Sequence, residues 1–507
     1  MAAGLGATTL PLVPRALAAT AAPPLGDPEP FSFERLIEQA RALAGQPYAP
    51  PPPAPDWVAQ LTPEQQRAIH VLPERVIQLG PTPFQLRPVH LGAFYRDPVR
   101  LYLVEAGIAR ELLYDPAMFD LGGARPPDQP SPQTGFAGLR VFFPLNPGGS
   151  YDELLAFLGT SQFRAVGRGT RYGVSARGLA LDTGLGRPEE LPAFTRFWLV
   201  QPADPVDPLT ICALLDSRSV AGAYRFVVVP RDQTVMQVDA SLFFRNDVQQ
   251  VGIAPVNSMF YFGPDDRVGV DDYRERVHNS GDLSLWRGNG EVLLRPLVNP
   301  TELRVSVFGD ENPRGFGCLQ RHRSLMDYRD LDGRWDLRPN LWVEPKGAWG
   351  KGSVRLIEVP TPDETHDNIV AFWTPDEPVR AKSELRLAYA LTWTLEAPLQ
   401  TGLAQVVETS VGRGGKPGED RPPELRHVAI DFGPAPGQNG STPAPEVRLE
   451  CNNGTCPQPL LQPNPGTGGW RVGFDYRLGG NVAELRCLLT QGGRPVSETW
   501  LYRLDKT

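Results

Sequence analysis

Aromatic, guanidinium and carboxamide side chains crowd one stretch of this 507-residue chain. Trp286-Arg287-Gly288-Asn289-Gly290-Glu291 is followed by Asn312-Pro313, Tyr328, Arg329, Trp335, Arg338, Trp342 and Trp349. Sugar rings offer apolar C–H faces that stack on Trp and Tyr, and hydroxyls that need planar polar partners. Together the residues suit a carbohydrate surface, although any one tryptophan is equally well explained by core packing. Cleaving a glycosidic bond needs a carboxylic acid beside the leaving oxygen, and usually a second carboxylate as base or nucleophile. Asp265, Asp266, Asp271, Asp272, Glu275, Asp282, Glu344, Glu358, Asp363, Glu364 and Asp367 are all available, and spacing does not choose among them. The richest group is Pro360-Thr361-Pro362-Asp363-Glu364-Thr365-His366-Asp367-Asn368, between apolar strand-like runs at 354–359 and 369–373. His366 and Asp367 are adjacent, so an extended backbone points them opposite ways, which argues against a metal or triad pair. No G-x-S-x-G elbow occurs. Gly288-Asn289-Gly290 lacks the lysine and helix of a phosphate loop.

The elements that must position these residues read mainly as strands. Gly (51) and Pro (55) make up about a fifth of the chain, high for a globular protein but below the ~25–30% of low-complexity disorder. Met236, Val238, Ala240 and Leu242 alternate with polar residues; so do Leu385 to Leu395, and Trp470, Val472, Phe474, Tyr476 and Leu478. A period of two places each set on one face of an antiparallel sheet. Helix signals are few: an apolar stripe over residues 32–44, and capping boxes at Thr62-Pro63-Glu64-Gln65 and Ser150-Tyr151-Asp152-Glu153. The second box predicts a short helix through Leu154, Leu155 and Phe157. Loop-rich stretches at 412–423 and 433–445 follow a boundary near residue 400. The last ~105 residues have the strand density of an immunoglobulin-like sandwich.

Net charge is −8 with no basic block, which argues against duplex nucleic acid as partner. No run of ~18 apolar residues predicts a membrane span. The start, MAAGLGATTLPLVPRALAAT, is free of acids and carries Ala16-Leu17-Ala18, a cleavage pattern expected of an export-signal remnant. Of five cysteines, Cys212 and Cys318 read as buried thiols; Cys451 and Cys456 flank a turn where a disulfide could form, with Cys487 as rival partner. No Cys/His set has zinc spacing, and no cofactor is expected.

Longer motifs carry a resemblance. Gly135-Phe136-Ala137-Gly138, Tyr172-Gly173-Val174-Ser175-Ala176-Arg177-Gly178-Leu179-Ala180, Ala213-Leu214-Leu215-Asp216-Ser217, Asn312-Pro313-Arg314-Gly315-Phe316-Gly317, Trp349-Gly350-Lys351-Gly352-Ser353 and Asp367-Asn368-Ile369-Val370 resemble the periplasmic glucan biosynthesis protein G/D family, from about Phe31 to Leu504. The start and the Trp500-Leu501-Tyr502 ending look closer to the D branch, whose members usually carry a twin-arginine signal; that pair is absent here. The resemblance implies a mostly β fold, with a signal remnant over 1–24, a large glucan-processing β-sandwich over 25–398 and an immunoglobulin-like sandwich over 399–507. It implies a periplasmic role on the β-1,2-linked backbone of osmoregulated periplasmic glucans, with Asp367 as general acid. A homodimer is one arrangement open to it. Trp286, Arg287, Asn289, Tyr328, Trp335, Arg338 and Trp342 are the expected sugar-binding residues.

One departure matters. The family's base lies in an H-D-S-[DN]-x-L motif, and the matching stretch here is His278-Asn279-Ser280-Gly281-Asp282-Leu283. The base position is therefore Asn279, an amide that takes no proton from water at neutral pH. Asp282 is the substitute base within reach by sequence, against a plain role as a turn carboxylate. Three readings follow: an anomer-inverting transglycosylase or cyclase using a sugar hydroxyl as acceptor, an inverting β-1,2-glucanase, and a non-catalytic glucan-binding protein.

Overall fold

The computed structural model describes residues 22–128, 131, 134–267, 269–435 and 443–505. Residues 1–21 of the expected signal remnant lie outside the described residues.

The chain is mostly β. The alternating runs form the strands Thr234–Phe244, Glu384–Thr394 and Gly469–Arg477. The first two pair antiparallel with Met236 opposite Leu391 and Val238 opposite Tyr389, so their apolar sets share one buried face. The helix Phe33–Ala44 is capped by Ser32, whose hydroxyl accepts from the Arg35 N–H at 3.3 Å. The Thr62/Gln65 capping box opens Pro63–Ala68. The Ser150 box does not open a helix; Asp152–Leu158 is a strand. It lies between Gly138–Phe143 and Gln162–Ala165, and ladders on both sides satisfy its backbone while Leu154, Leu155, Ala156 and Phe157 are buried. Pairing on two edges outweighs a local cap.

Two large sheets pack face to face. The 11-stranded sheet has Gln85–Val89, Gly138–Phe143, Asp152–Leu158, Gln162–Ala165, Ser175–Arg177, Val251–Ser258 and Ile369–Pro375 as successive neighbours. Across the core, Phe157 and Phe163 meet Phe226 of the 16-stranded sheet edge to face at 5.1 and 5.2 Å. Alternation then turns the other side of the 11-stranded sheet outward. Gln85, Arg87, Arg140, Phe142, Leu158, Gln162, Arg164 and Arg177 occupy it, all partly exposed. This outward face is the floor of the site.

Toward the C-terminus, a 4-stranded sheet (Val406–Arg413, Leu425–Phe432, Gly469–Arg477, Leu460–Asn464) packs on Glu446–Cys451, Val482–Gln491 and Thr499–Asp505. Their core is centred on Ile430, Phe432, Val472, Tyr476, Leu485 and Trp500. The three-stranded layer continues the 16-stranded sheet, because Thr499–Asp505 runs parallel to Val292–Pro296 with Leu293 opposite Thr499. Cys451 and Cys456 are disulfide-bonded, and Cys212, Cys318 and Cys487 are buried thiols. No helix among the described residues is long and apolar enough to cross a membrane.

Candidate functional site: a polar cleft around Asp367

Asp367 closes the loop that leads into Ile369–Pro375, and Asn368 fixes that loop. The Asn368 amide donates to the Val359 carbonyl at 3.1 Å, and its Oδ1 accepts from the Phe260 N–H at 2.8 Å. Asn299 clamps the loop's other limb, exchanging two 2.9 Å hydrogen bonds with the Thr361 backbone. Asn279 follows the two-residue strand Val277–His278, and its backbone N–H donates to the Met259 carbonyl at 2.8 Å. Consecutive residues 259 and 260 therefore anchor both the Asn279 turn and the Asp367 loop.

Asp367 and Asn279 line one cleft of about 280 Å³, with Trp335, Arg338, Tyr95, Gln162, Arg164, Tyr172, Ser175 and Glu364. Two stacked pairs flank it: the Arg338 guanidinium lies 4.9 Å from the Trp335 ring centre, and Arg164 lies 4.0 Å from that of Tyr172. Trp335 is held by its indole N–H donating to Asp330 at 2.8 Å. Arg274 then gathers three loops, reaching Asp272 at 2.7 Å, Asp330 at 3.2 Å and Glu364 at 3.0 Å.

The Asp367 side chain is open to the cleft yet crowded by its walls. That desolvation holds its carboxyl above the usual carboxylate range, against the opposing pull of Arg177, Arg164 and Arg338. A raised carboxyl beside a sugar-sized cleft can deliver a proton. The Asn279 Oδ1 is buried without a hydrogen-bond partner among the described residues. His366 turns aside to Asp363, 3.2 Å away. Among the described residues no group of three or more His, Cys, Asp or Glu is placed to hold a metal ion.

The remaining expected residues lie elsewhere. Asp282 begins the strand Asp282–Trp286 and lines a separate small cavity with Arg276, His322 and Glu408, its nearest cation Arg321 at 3.6 Å. Burial raises its carboxyl to about 6. Trp286 and Trp342 pack with Val292, Leu319 and Leu399. Arg287 is paired with Glu291 at 2.9 Å, and Asn289 caps the same turn by accepting from the Glu291 N–H. Tyr328 is fully buried, in one small apolar cluster with Trp335, Met259, Phe262 and Val277. Of the expected sugar contacts, Trp335 and Arg338 reach the cleft. The stretch that looked like a sugar surface is largely interior strands of the 16-stranded sheet and the hairpin turn at 287–291.

Sequence reasoning did not single out Tyr95, Gln162 or Arg164 as site residues, and Glu364 stood only among the candidate acids that spacing did not separate. Tyr172 and Ser175 stood within a recognised motif without an assigned role. The Gln162-x-Arg164 alternation beside that motif was the available signal, since it marks one outward face of a strand.

Comparison with known proteins agrees with the resemblance. The family model described as "Periplasmic glucan biosynthesis protein, MdoG" matches residues 31–504. The "Glucans biosynthesis protein G" of Rhodopseudomonas palustris (strain BisA53) is 42% identical over 496 residues, covering 97% of each chain. The "Glucans biosynthesis protein D 2" of Ralstonia nicotianae is 42% identical over 519 residues, covering 99% of this chain and 96% of its own. The "Glucans biosynthesis protein G" of Vibrio cholerae (strain M66-2) is 42% identical over 479 residues, with 93% and 86% covered. Equal identity to G and D relatives does not separate the two branches. By a match running almost from end to end, this chain belongs to the periplasmic glucan biosynthesis protein family, MdoG.

Proposed function

We propose that the protein is an anomer-inverting transglycosylase of β-1,2-linked glucan, with Asp367 as general acid and a glucan hydroxyl as acceptor. The observation that carries this reading is one cleft lined by a raised carboxyl, Asp367, and by a carboxamide, Asn279, where a base is expected. Asp367 gives its proton to the glycosidic oxygen as the bond to the leaving chain breaks. An acceptor hydroxyl attacks the opposite face of the anomeric carbon, and its proton passes to cleft water. Asp367 is reprotonated from solvent, so no proton is consumed. Inversion turns a β-linkage into an α-linkage, within one chain to close a ring or between chains to extend or branch. Holding the acceptor in place supplies part of what the missing base would have given. Arg–aromatic pairs lining the same cleft as Asp367 suit that holding role.

This reading sets the work in the periplasm, with residues 25–398 as the glucan-processing domain and 399–507 as an immunoglobulin-like domain. The Cys451–Cys456 bond accords with an oxidising compartment. The alternative is hydrolysis, and the observation in its favour is Glu364, a second carboxylate in the cleft, although it is engaged with Arg274. Incubation with linear β-1,2-glucan separates the readings. Transfer gives rings lighter than their linear counterparts by one water, or longer and branched chains, without new reducing ends. Rapid release of reducing ends with no such product rejects transfer; binding without turnover leaves a glucan-binding protein.

A further inference from the structure

A cavity of about 230 Å³ is walled by the segment 395–405, which joins the strand Glu384–Thr394 to Val406–Arg413 of the 4-stranded sheet. Junctions of this kind are a preferred place for small-molecule sites. Leu395, Leu399 and Val407 give the cavity apolar walls, and Arg321, Arg323 and Glu498 give it charge.

These charges do not balance. Arg321 spends both terminal nitrogens on Glu498, at 3.0 Å each. Asp282 lies 3.6 Å from Arg321 but lines the separate small cavity. Arg323 bonds only to uncharged oxygens: the carbonyls of Asp336, at 3.3 Å, and Arg338, and the Asn340 side chain at 3.0 Å. No carboxylate among the described residues pairs with it. Burial pulls its guanidinium down to about 10, as it does for a cation short of a counter-ion.

One edge of Arg323 is also underused. A guanidinium takes a carboxylate side-on through Nε and Nη2. Arg225 holds Asp239 by that edge at 3.0 and 2.7 Å, and Arg471 holds Asp431 at 2.7 and 2.6 Å. The Arg323 Nε is buried without a hydrogen-bond partner among the described residues, and Nη2 keeps one hydrogen beyond its bond to Asn340. A carboxylate on this edge would relieve the uncompensated charge.

The residues around the cavity also hold the cleft. Gln320 donates its amide to the His278 carbonyl at 3.0 Å, one residue before Asn279. Arg323 carries the carbonyl of Arg338. The Asn340 Oδ1 accepts from the Gln320 N–H at 2.6 Å and from Arg323, while its amide donates to the Glu396 carbonyl of the connecting segment at 2.8 Å.

We propose that this cavity binds a small organic monocarboxylate on Arg323, and that its occupancy steadies the Asn279 and Arg338 segments of the cleft. The volume lies below that of drug-sized pockets and suits one small ring or a short acyl chain. The proposal stands whichever reaction the cleft performs.

The probes are benzoate and its neutral counterpart benzamide, titrated calorimetrically into the full chain. Benzoate is expected to bind at least about tenfold tighter, because only the anion answers Arg323. Arg323→Lys keeps a positive charge without the two-pronged edge and should lose that preference. Ala397 is exposed and lines the cavity, so Ala397→Trp should plug it and weaken benzoate about tenfold or more, with circular dichroism checking the fold. Hydrogen exchange reads the link: benzoate should slow exchange of the Asn279 and Arg338 amides. Absence of benzoate binding, equal binding of benzamide, or binding indifferent to Ala397→Trp overturns the site. Binding that leaves both amides unchanged overturns the link to the cleft.

Discussion

Phe260 and Asn368 are joined by a buried hydrogen bond, the Phe260 N–H donating to the Asn368 Oδ1 at 2.8 Å. The carbonyl of the preceding residue, Met259, accepts from the Asn279 N–H, also at 2.8 Å. One short stretch of backbone therefore sets where the Asp367 loop and the Asn279 turn sit relative to each other. Asn368 is 2% exposed, and its amide also donates to Val359. Asn368→Ala removes both bonds and leaves the Phe260 N–H unpaired, at about 1–3 kcal/mol. The expected outcome is a lower melting temperature and a lower kcat, with the turnover loss exceeding the affinity loss because Asp367 is displaced. Asn368→Asp keeps the acceptor for Phe260 but loses the donor to Val359, and should fall between. Wild-type turnover in Asn368→Ala would separate this clamp from catalysis.

Asp367→Asn preserves shape and removes the proton. Turnover of linear β-1,2-glucan should disappear while its binding persists, which titration checks. The pH dependence follows from the raised carboxyl. An acid must be protonated to act, so activity holds below the Asp367 pKa and declines as pH rises through it. That decline should fall above the ordinary aspartate range and should be followed as kcat/KM against pH. Full activity in Asp367→Asn would falsify the assignment.

The strands were legible because period-two alternation is written in single residues; Met236, Val238 and Leu391, Trp393 fell where alternation puts them. The capping box at Ser150 misled because a cap is worth about 1 kcal/mol, whereas strand pairing on both edges and burial of four successive residues are worth more. Asp367 was found through a family motif; the loop's carboxylates were not distinguishable by spacing. The tryptophans misdirected for a physical reason. Trp286 and Trp342 are needed to fill the space beside Leu399, and a sequence does not state which side of a strand faces water once both sides are covered. Arg164 was missed because its partner surface, Tyr172, comes from a different stretch of chain.

Asp282 supplies a stability prediction. Burial raises its carboxyl to about 6, above an unfolded value near 3.9. Between those values the folded state binds the proton better, so this group's contribution is full below the unfolded pKa and is lost as pH rises through about 6. His278 and His322, held neutral by burial, act with the opposite sign, because they favour the unfolded state as pH falls through about 6.5. A difference measurement separates them. Asp282→Asn relative to wild type should gain thermal stability as pH goes from about 4 to about 6 and level off above that. A melting-temperature difference that stays flat with pH would show that Arg321 keeps Asp282 ionised throughout.

Asn279 permits a gain-of-function experiment. Its side chain lines the same cleft as Asp367, and its Oδ1 is buried without a partner among the described residues. Asn279→Asp changes that carboxamide into a carboxylate of nearly the same shape. If water is excluded from attack only because no base accepts its proton, the variant should release reducing ends from linear β-1,2-glucan roughly 10²–10⁴-fold faster than wild type. Ring or branched products should fall in step, since water then competes with the acceptor hydroxyl. The new carboxylate is nearly buried, so its own pKa should be raised, and the added hydrolysis should appear only as pH climbs through that value. Reducing-end assay and mass spectrometry of the same samples read both changes. A variant that folds, binds glucan and still fails to hydrolyse it shows that position 279 is not where the proton of an attacking water goes. The choice between transfer and hydrolysis must then be set elsewhere, with Glu364 the first carboxylate to test.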